Sequence, residues 1–234
     1  MKIKGTGNYI NEKGRRNNFL GICELPDEES LRELKVSGNV LFEVLSCNEI
    51  NISGKCKGNS VSAQVIKISG ELSVEKLSCN EINISGKCSG NSLNTKNFLG
   101  SGKIKLDSLK VEETLKFSGE AHIDSVTADE IFIGSRNAFL GEIKCRKIKI
   151  FDDAERLAEE IFGKIFSFHS SFGKSYSRVQ IKNIEADTVE LENCEVEVIR
   201  CQNAFIGANC SIEKLFVAGE CKVAADSKVN IIHT

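Results

Sequence analysis

Apolar residues in this chain come in pairs two apart, and the pairs recur at fixed intervals. Glycines at Gly38, Gly54, Gly70, Gly86 and Gly102 stand 16 residues apart. Around each, the positions two and four before it are apolar, as at Ile66 and Ile68 or Ile82 and Ile84. So are those two and four after it (Val40 and Phe42, Leu72 and Val74) and seven and nine after it (Leu45 and Cys47, Leu77 and Cys79). A spacing of two is the strand period, so each pair marks a short strand with one face inward. The residues between are polar, as at Lys67, Ser69, Glu71 and Ser73. Three short strands and three corners per 16 residues predict a triangular coil. The glycine belongs at a corner, where a positive φ or a bend is cheap only without a Cβ. One coil cannot bury its apolar face alone and must stack on the next, about 4.8 Å away. The pattern therefore predicts an all-β parallel β-helix. The segment LSCNEINISGKC, found at 45–56 and again at 77–88, is two coils repeating one packing solution.

The series extends to Gly5 and Gly21 toward the start and, with one extra residue, to Gly119. Carried to the far end, it puts Phe205 and Gly207, Cys210 and Ile212, Leu215 and Val217, and Cys221 and Val223 inward, about thirteen coils in all. It also puts Asp226 and Lys228 on inward slots of the last coil, which reads as a polar terminal cap.

The pattern breaks once. Residues 151–178 read FDDAERLAEEIFGKIFSFHSSFGKSYSR. Asp152 or Asp153 is a candidate N-cap, and Leu157, Ile161 and Ile165 recur at helical spacing. The organisation is thus coils over 1–150, a helix-loop insert over 151–178, and coils again over 179–234. Phe162, Ile165, Phe166, Phe168 and Phe172 make the insert a candidate contact for the flank of the β-helix, a protein partner or a membrane surface. Lys164 and Lys174 are few cations for membrane binding.

Composition narrows the function classes. All ten cysteines fall on inward slots, so they read as small buried hydrophobes rather than disulfides or metal ligands. Cys47 and Cys79 stand two coils apart, about 9.6 Å, too far for a disulfide. No C-x-x-C pair or zinc-like spacing of histidine with cysteine occurs. A net charge of −2 gives no general attraction to nucleic acid. No apolar run approaches the roughly 20 residues that span a bilayer, and the start, MKIKGTGNYI, lacks a signal-peptide core. The expected location is the cytoplasm. No nucleophile, phosphate-loop or metalloprotease motif stands out, and His122 falls on an outward position, so neither an enzyme nor a cofactor is expected.

The 16-residue coils of the form I-x-I-S-G-x-C/L (Ile52 to Cys56, Ile68 to Leu72, Ile84 to Cys88) resemble the bactofilin family of polymer-forming bacterial cytoskeletal proteins. The stretch IEADTVELENCEVEVIRCQNAFIGANCSIEKL is similar to longer bactofilin-like proteins of Firmicutes. The resemblance implies a right-handed β-helix that joins end to end without nucleotide and scaffolds cell-envelope or morphogenesis proteins, with possible membrane association. Ile3, Tyr9 and Phe19 are then the candidate stacking residues at the amino-terminal end. The alternative is a monomeric binding module that presents a strand face or the insert to a protein partner.

Overall fold

Burial follows the three-pair pattern. Along Asn39–Ile52, Val40, Phe42, Leu45, Cys47, Ile50 and Ile52 are buried and the residues between them face outward. The structure, a computed structural model, describes residues 3–4, 16–19, 22–24, 29–134, 137–152, 156–158 and 178–233. They fall into two units, residues 1–110 and 111–234, which together hold about eleven solenoid turns roughly 16 residues apart.

The first unit runs β1 (Ile3–Lys4), β2 (Arg16–Phe19), β3 (Ile22–Glu24), β4 (Glu29–Val36), β5 (Asn39–Ile52), β6 (Lys55–Ile68), β7 (Glu71–Ile84), β8 (Lys87–Gly100) and β9 (Lys103–Val111), which ends at the boundary. From β4 to β8 each strand pairs in parallel with the next at an offset of 16: Leu34 with Ile50, Ile50 with Ile66, Ile66 with Ile82, Ile82 with Phe98. The expected three strands per coil are one 14-residue strand in β5 to β8. The chain bends at outward doublets such as Glu43-Val44. Each residue's partner, one coil away, bends with it, so the ladder continues around the corner.

The third corner is the Ser-Gly step, and there the glycine has a different cause from the expected one. None of Gly54, Gly70, Gly86 and Gly102 has a left-handed φ. What excludes a side chain is the coil beside it. A Cβ on Gly70 would lie 2.1 Å from the Gly54 carbonyl oxygen. The corner is drawn this close by hydrogen bonds: Ser69 and Gly70 N–H both donate to Ile52 O (2.8 and 2.9 Å), and Glu71 N–H donates to Gly54 O (2.8 Å).

Inside, large and small residues alternate along a column. The Phe42 ring occupies the space beside Gly58, where a Cβ would lie 2.2 Å from the ring. Thr95, 3 % exposed, takes the slot that holds Cys79 one coil earlier. Its hydroxyl lies 3.1 Å from Asn80 O and 3.0 Å from Asn97 O. The amino-terminal strands depart from the series. β1 pairs antiparallel with β3, Ile3 opposite Cys23, so it is not a further parallel coil, and the count falls short of thirteen.

The second unit contains β10 (Thr114–Phe117), β11 (Glu120–Thr127), β12 (Glu130–Ile133), β13 (Ala138–Ile150), β14 (Val179–Leu191), β15 (Cys194–Ile206), β16 (Ser211–Val217), β17 (Cys221–Val223) and β18 (Lys228–His233). Its coils are less even. Offsets are 16 for Leu115 with Ile131, 17 for Ile131 with Ile148, 15 for Val189 with Ala204, and 17 for Ala204 with Cys221. Two expectations fail where the offset departs from 16: at the 15-residue step into β15 and at the 17-residue step into β18. Ala204 and Ile206 point inward, not Phe205 and Gly207; the Phe205 ring faces out under Lys222 Nζ at 5.5 Å. In the last coil Val229 pairs with Ile212, so Asp226 and Lys228 face solvent and form no cap over the core. Asn193 and Asn209 turn corners with φ of 52° and 58°, which asparagine tolerates better than most residues. Asn209 Nδ2 donates to Asn193 Oδ1 at 2.6 Å.

The insert leaves after β13 and returns at β14, with Ile148 opposite Val189. Phe151 at its root is buried, with Lys149 Nζ 4.9 Å and the Arg156 guanidinium 5.9 Å from its ring centre. Residues 156–158 are helical and Leu157 is buried, so this turn packs against the solenoid. Arg156 pairs with Glu192, which also accepts from Asp152 N–H at 3.3 Å. Phe162, Ile165, Phe166, Phe168 and Phe172 lie outside the described residues.

Candidate assembly surface

A solenoid coil buries its inward residues only when a coil lies on each side. β17 and β18 take their registers from the preceding coils: Cys221 opposite Ala204, Val223 opposite Ile206, Val229 opposite Ile212, Ile231 opposite Leu215. Their partners Ala204, Ile206, Ile212 and Leu215 are buried, whereas Val223 and Ile231 are 37 % and 39 % exposed. The difference comes from position, since these residues sit on core slots with core chemistry. This end presents apolar side chains ringed by main-chain donors and acceptors, the chemistry of a β-edge template. Lys222, Asp226 and Lys228 of the same segment are exposed.

The amino-terminal candidates are placed in part. Ile3 lies in the antiparallel β1–β3 pair, and Phe19 lies in β2 opposite Val36. Tyr9 lies outside the described residues. Val223 falls on an expected inward slot, whereas Val229 escaped because a strict 16-residue count from Ile212 gives Lys228 and the offset there is 17. The alternation of Cys221 with Val223 and of Val229 with Ile231 is the signal that could have found it.

Each unit also has a shallow groove beside its corners. In the first unit, Lys35, Asn51, Lys67, Asn83 and Leu99 form one column along a groove of about 450 Å³. Lys67 Nζ and Asn51 Nδ2, each 3.1 Å from Glu49 Oε1, hold that carboxyl below its usual range, Asn51 first. The serine hydroxyls of this corner donate to the coil before: Ser53 to Val36 O at 3.1 Å and Ser69 to Ile52 O at 3.3 Å. In the second unit, Lys149, Phe151, Phe205 and Lys222 line a groove of about 390 Å³. His122 is an outward residue stacked on the Phe139 ring at 4.8 Å.

The nine cysteines whose side chains are described are free thiols, six of them buried and Cys145, Cys201 and Cys221 partly so. Burial pushes Cys56, Cys88 and Cys145 up to about 12, and Cys47, Cys79 and Cys201 up to about 11. Among the described residues, no group of three or more His, Cys, Asp or Glu is placed to hold a metal ion, and no helix is long and apolar enough to cross a membrane. No protein family, curated protein or solved structure matches the chain.

Proposed function

We propose that this chain is a non-enzymatic cytoplasmic scaffold of the bactofilin type that self-assembles through its solenoid ends and supports cell-envelope or morphogenesis partners. The observation that carries the reading is the carboxy-terminal rung, where Val223 and Ile231 occupy core slots yet stand more than a third exposed. A second copy stacked there at strand spacing covers these side chains and continues the ladders of β17 and β18. The regular 16-residue coils of the first unit supply the stiff body that a filament needs.

The test is light scattering and negative-stain electron microscopy of the purified full chain over a concentration series. Concentration-dependent rods are expected. Replacing Val223 and Ile231 together by Lys leaves the folded spectrum intact and abolishes the rods. A wild-type chain that stays monomeric at the highest concentration, or a double variant that assembles as well as wild type, overturns the reading.

A further inference from the structure

We propose that Cys194 and Cys210 are a thiol–disulfide exchange site: a low-molecular-weight disulfide converts them into a cross-rung disulfide one layer below the carboxy-terminal rung. Glu195 pairs with Ser211, so the residues just before them, Cys194 and Cys210, stack on adjacent rungs. A rung spacing of about 4.8 Å lies within the Cα separation that a disulfide bridges. Both side chains point into the core, 0 % and 2 % exposed. Cys194 Sγ donates to Glu192 O at 3.1 Å and Cys210 Sγ to Leu191 O at 3.5 Å, carbonyls of the same corner.

The two thiols differ in character. Complete burial, then the bond to Cys210, keep Cys194 protonated. Cys210 is shifted the other way, first by its interaction with Cys194, with burial opposing the shift. It is the only described thiol lowered from its ordinary value; the most exposed, Cys221, is raised. Cys210 lies against Ser227 of the last coil and is the thiol an incoming disulfide reaches first, so as thiolate it is the nucleophile and Cys194 the resolving thiol.

The covering layer supplies the gate. Cys210 N–H donates to Ser227 Oγ at 2.8 Å, and the Ser227 hydroxyl donates to Gly207 O at 2.7 Å. Ser227 and Val229 belong to the half-exposed last coil. Its local opening uncovers Cys210 while the coils below stay folded. In the reaction the Cys210 thiolate attacks one sulfur of the small disulfide. That S–S bond breaks, a mixed disulfide forms and one small thiolate leaves. Cys194 gives up its proton and attacks the Cys210 sulfur, expelling the second small thiolate. Two protein thiols are oxidised, one small disulfide is reduced to two thiols, and the two protein protons end on the released thiols.

The experiment treats the folded full chain with oxidised glutathione, then unfolds it in urea with iodoacetamide to block every remaining thiol, and maps the products by non-reducing digestion and tandem mass spectrometry. The expected product is a Cys194–Cys210 linkage with both thiols fully protected from alkylation while Cys56 and Cys88 remain fully alkylated. Cys194→Ser is expected to trap glutathione on Cys210, and Cys210→Ser to leave Cys194 free. The wild-type map decides the matter even if neither variant folds. Cys210 still fully alkylatable once Cys221 carries glutathione, or Cys194 linked to a different cysteine, overturns the proposal.

Discussion

Replacing Gly70 by Ala separates two explanations of the repeated glycine. If the residue were there for backbone freedom, Ala would be harmless at this φ. It would even stabilise by about 0.4–1 kcal/mol through the unfolded chain. The close approach of the corners predicts the opposite. The new Cβ would lie 2.1 Å from Gly54 O and 2.6 Å from Ser53 C and O, all main-chain atoms that cannot rotate away. Relieving the clash separates the two corners and lengthens the Glu71 N–H bond to Gly54 O and the Gly70 N–H bond to Ile52 O. Overpacking of this kind costs about 1–3 kcal/mol, and each weakened hydrogen bond up to about 1 kcal/mol. Less the unfolded-state gain, the net is a loss of about 2–3 kcal/mol. Urea unfolding followed by circular dichroism measures it. Ser69→Ala, which removes only the hydroxyl bond to Ile52 O, serves as the control and is expected to lose under about 1 kcal/mol. Stacked-coil proteins need not unfold in one step. Amide exchange at Glu71 therefore gives a local readout, faster in the variant by about thirtyfold for a 2 kcal/mol loss. A Gly70→Ala chain as stable as wild type, with Glu71 equally protected, refutes the steric account.

The other outcomes test the core, the thiols and the end. Phe42→Ala is expected to cost about 3–5 kcal/mol by leaving a cavity beside Gly58. Gly58→Ala destabilises the wild type but is tolerated better beside Phe42→Leu, a coupling that a double-mutant cycle measures. Cys56 and Cys88 titrate near 12 when folded and near 9 when unfolded, so the folded state holds the protons longer. Their contribution is complete below about pH 9 and is lost as pH rises toward 12, by up to about 1.4 kcal/mol per pH unit for each thiol. Urea midpoints from pH 8 upward should fall along this slope, and less steeply for the Cys56→Ala, Cys88→Ala double variant. Assembly blocked by Lys at Val223 and Ile231, and the Cys194–Cys210 linkage, complete the set.

The alternation of apolar and polar positions alone places Val40, Phe42, Leu45, Cys47, Ile50 and Ile52 in the core. The reason is physical: a strand has two faces, a coil has one inside, and identical offsets force identical faces. Burial of Cys56, Cys79 and Cys88 was legible for the same reason. Tertiary structure decided what spacing cannot carry. Whether Gly70 answers to its own φ or to the carbonyl of the next coil depends on a distance between residues 16 apart. Whether Asp226 and Lys228 face the core depends on the length of the last coil, where an offset of 17 rather than 16 puts Val229 opposite Ile212. Cys194 and Cys210 differ in surroundings although both sit on inward slots, because only Cys210 lies against Ser227 of the last coil. The solenoid was therefore written in the local pattern. The candidate end surface and the thiol pair emerged only from the register between coils, which sets what each residue meets one layer away.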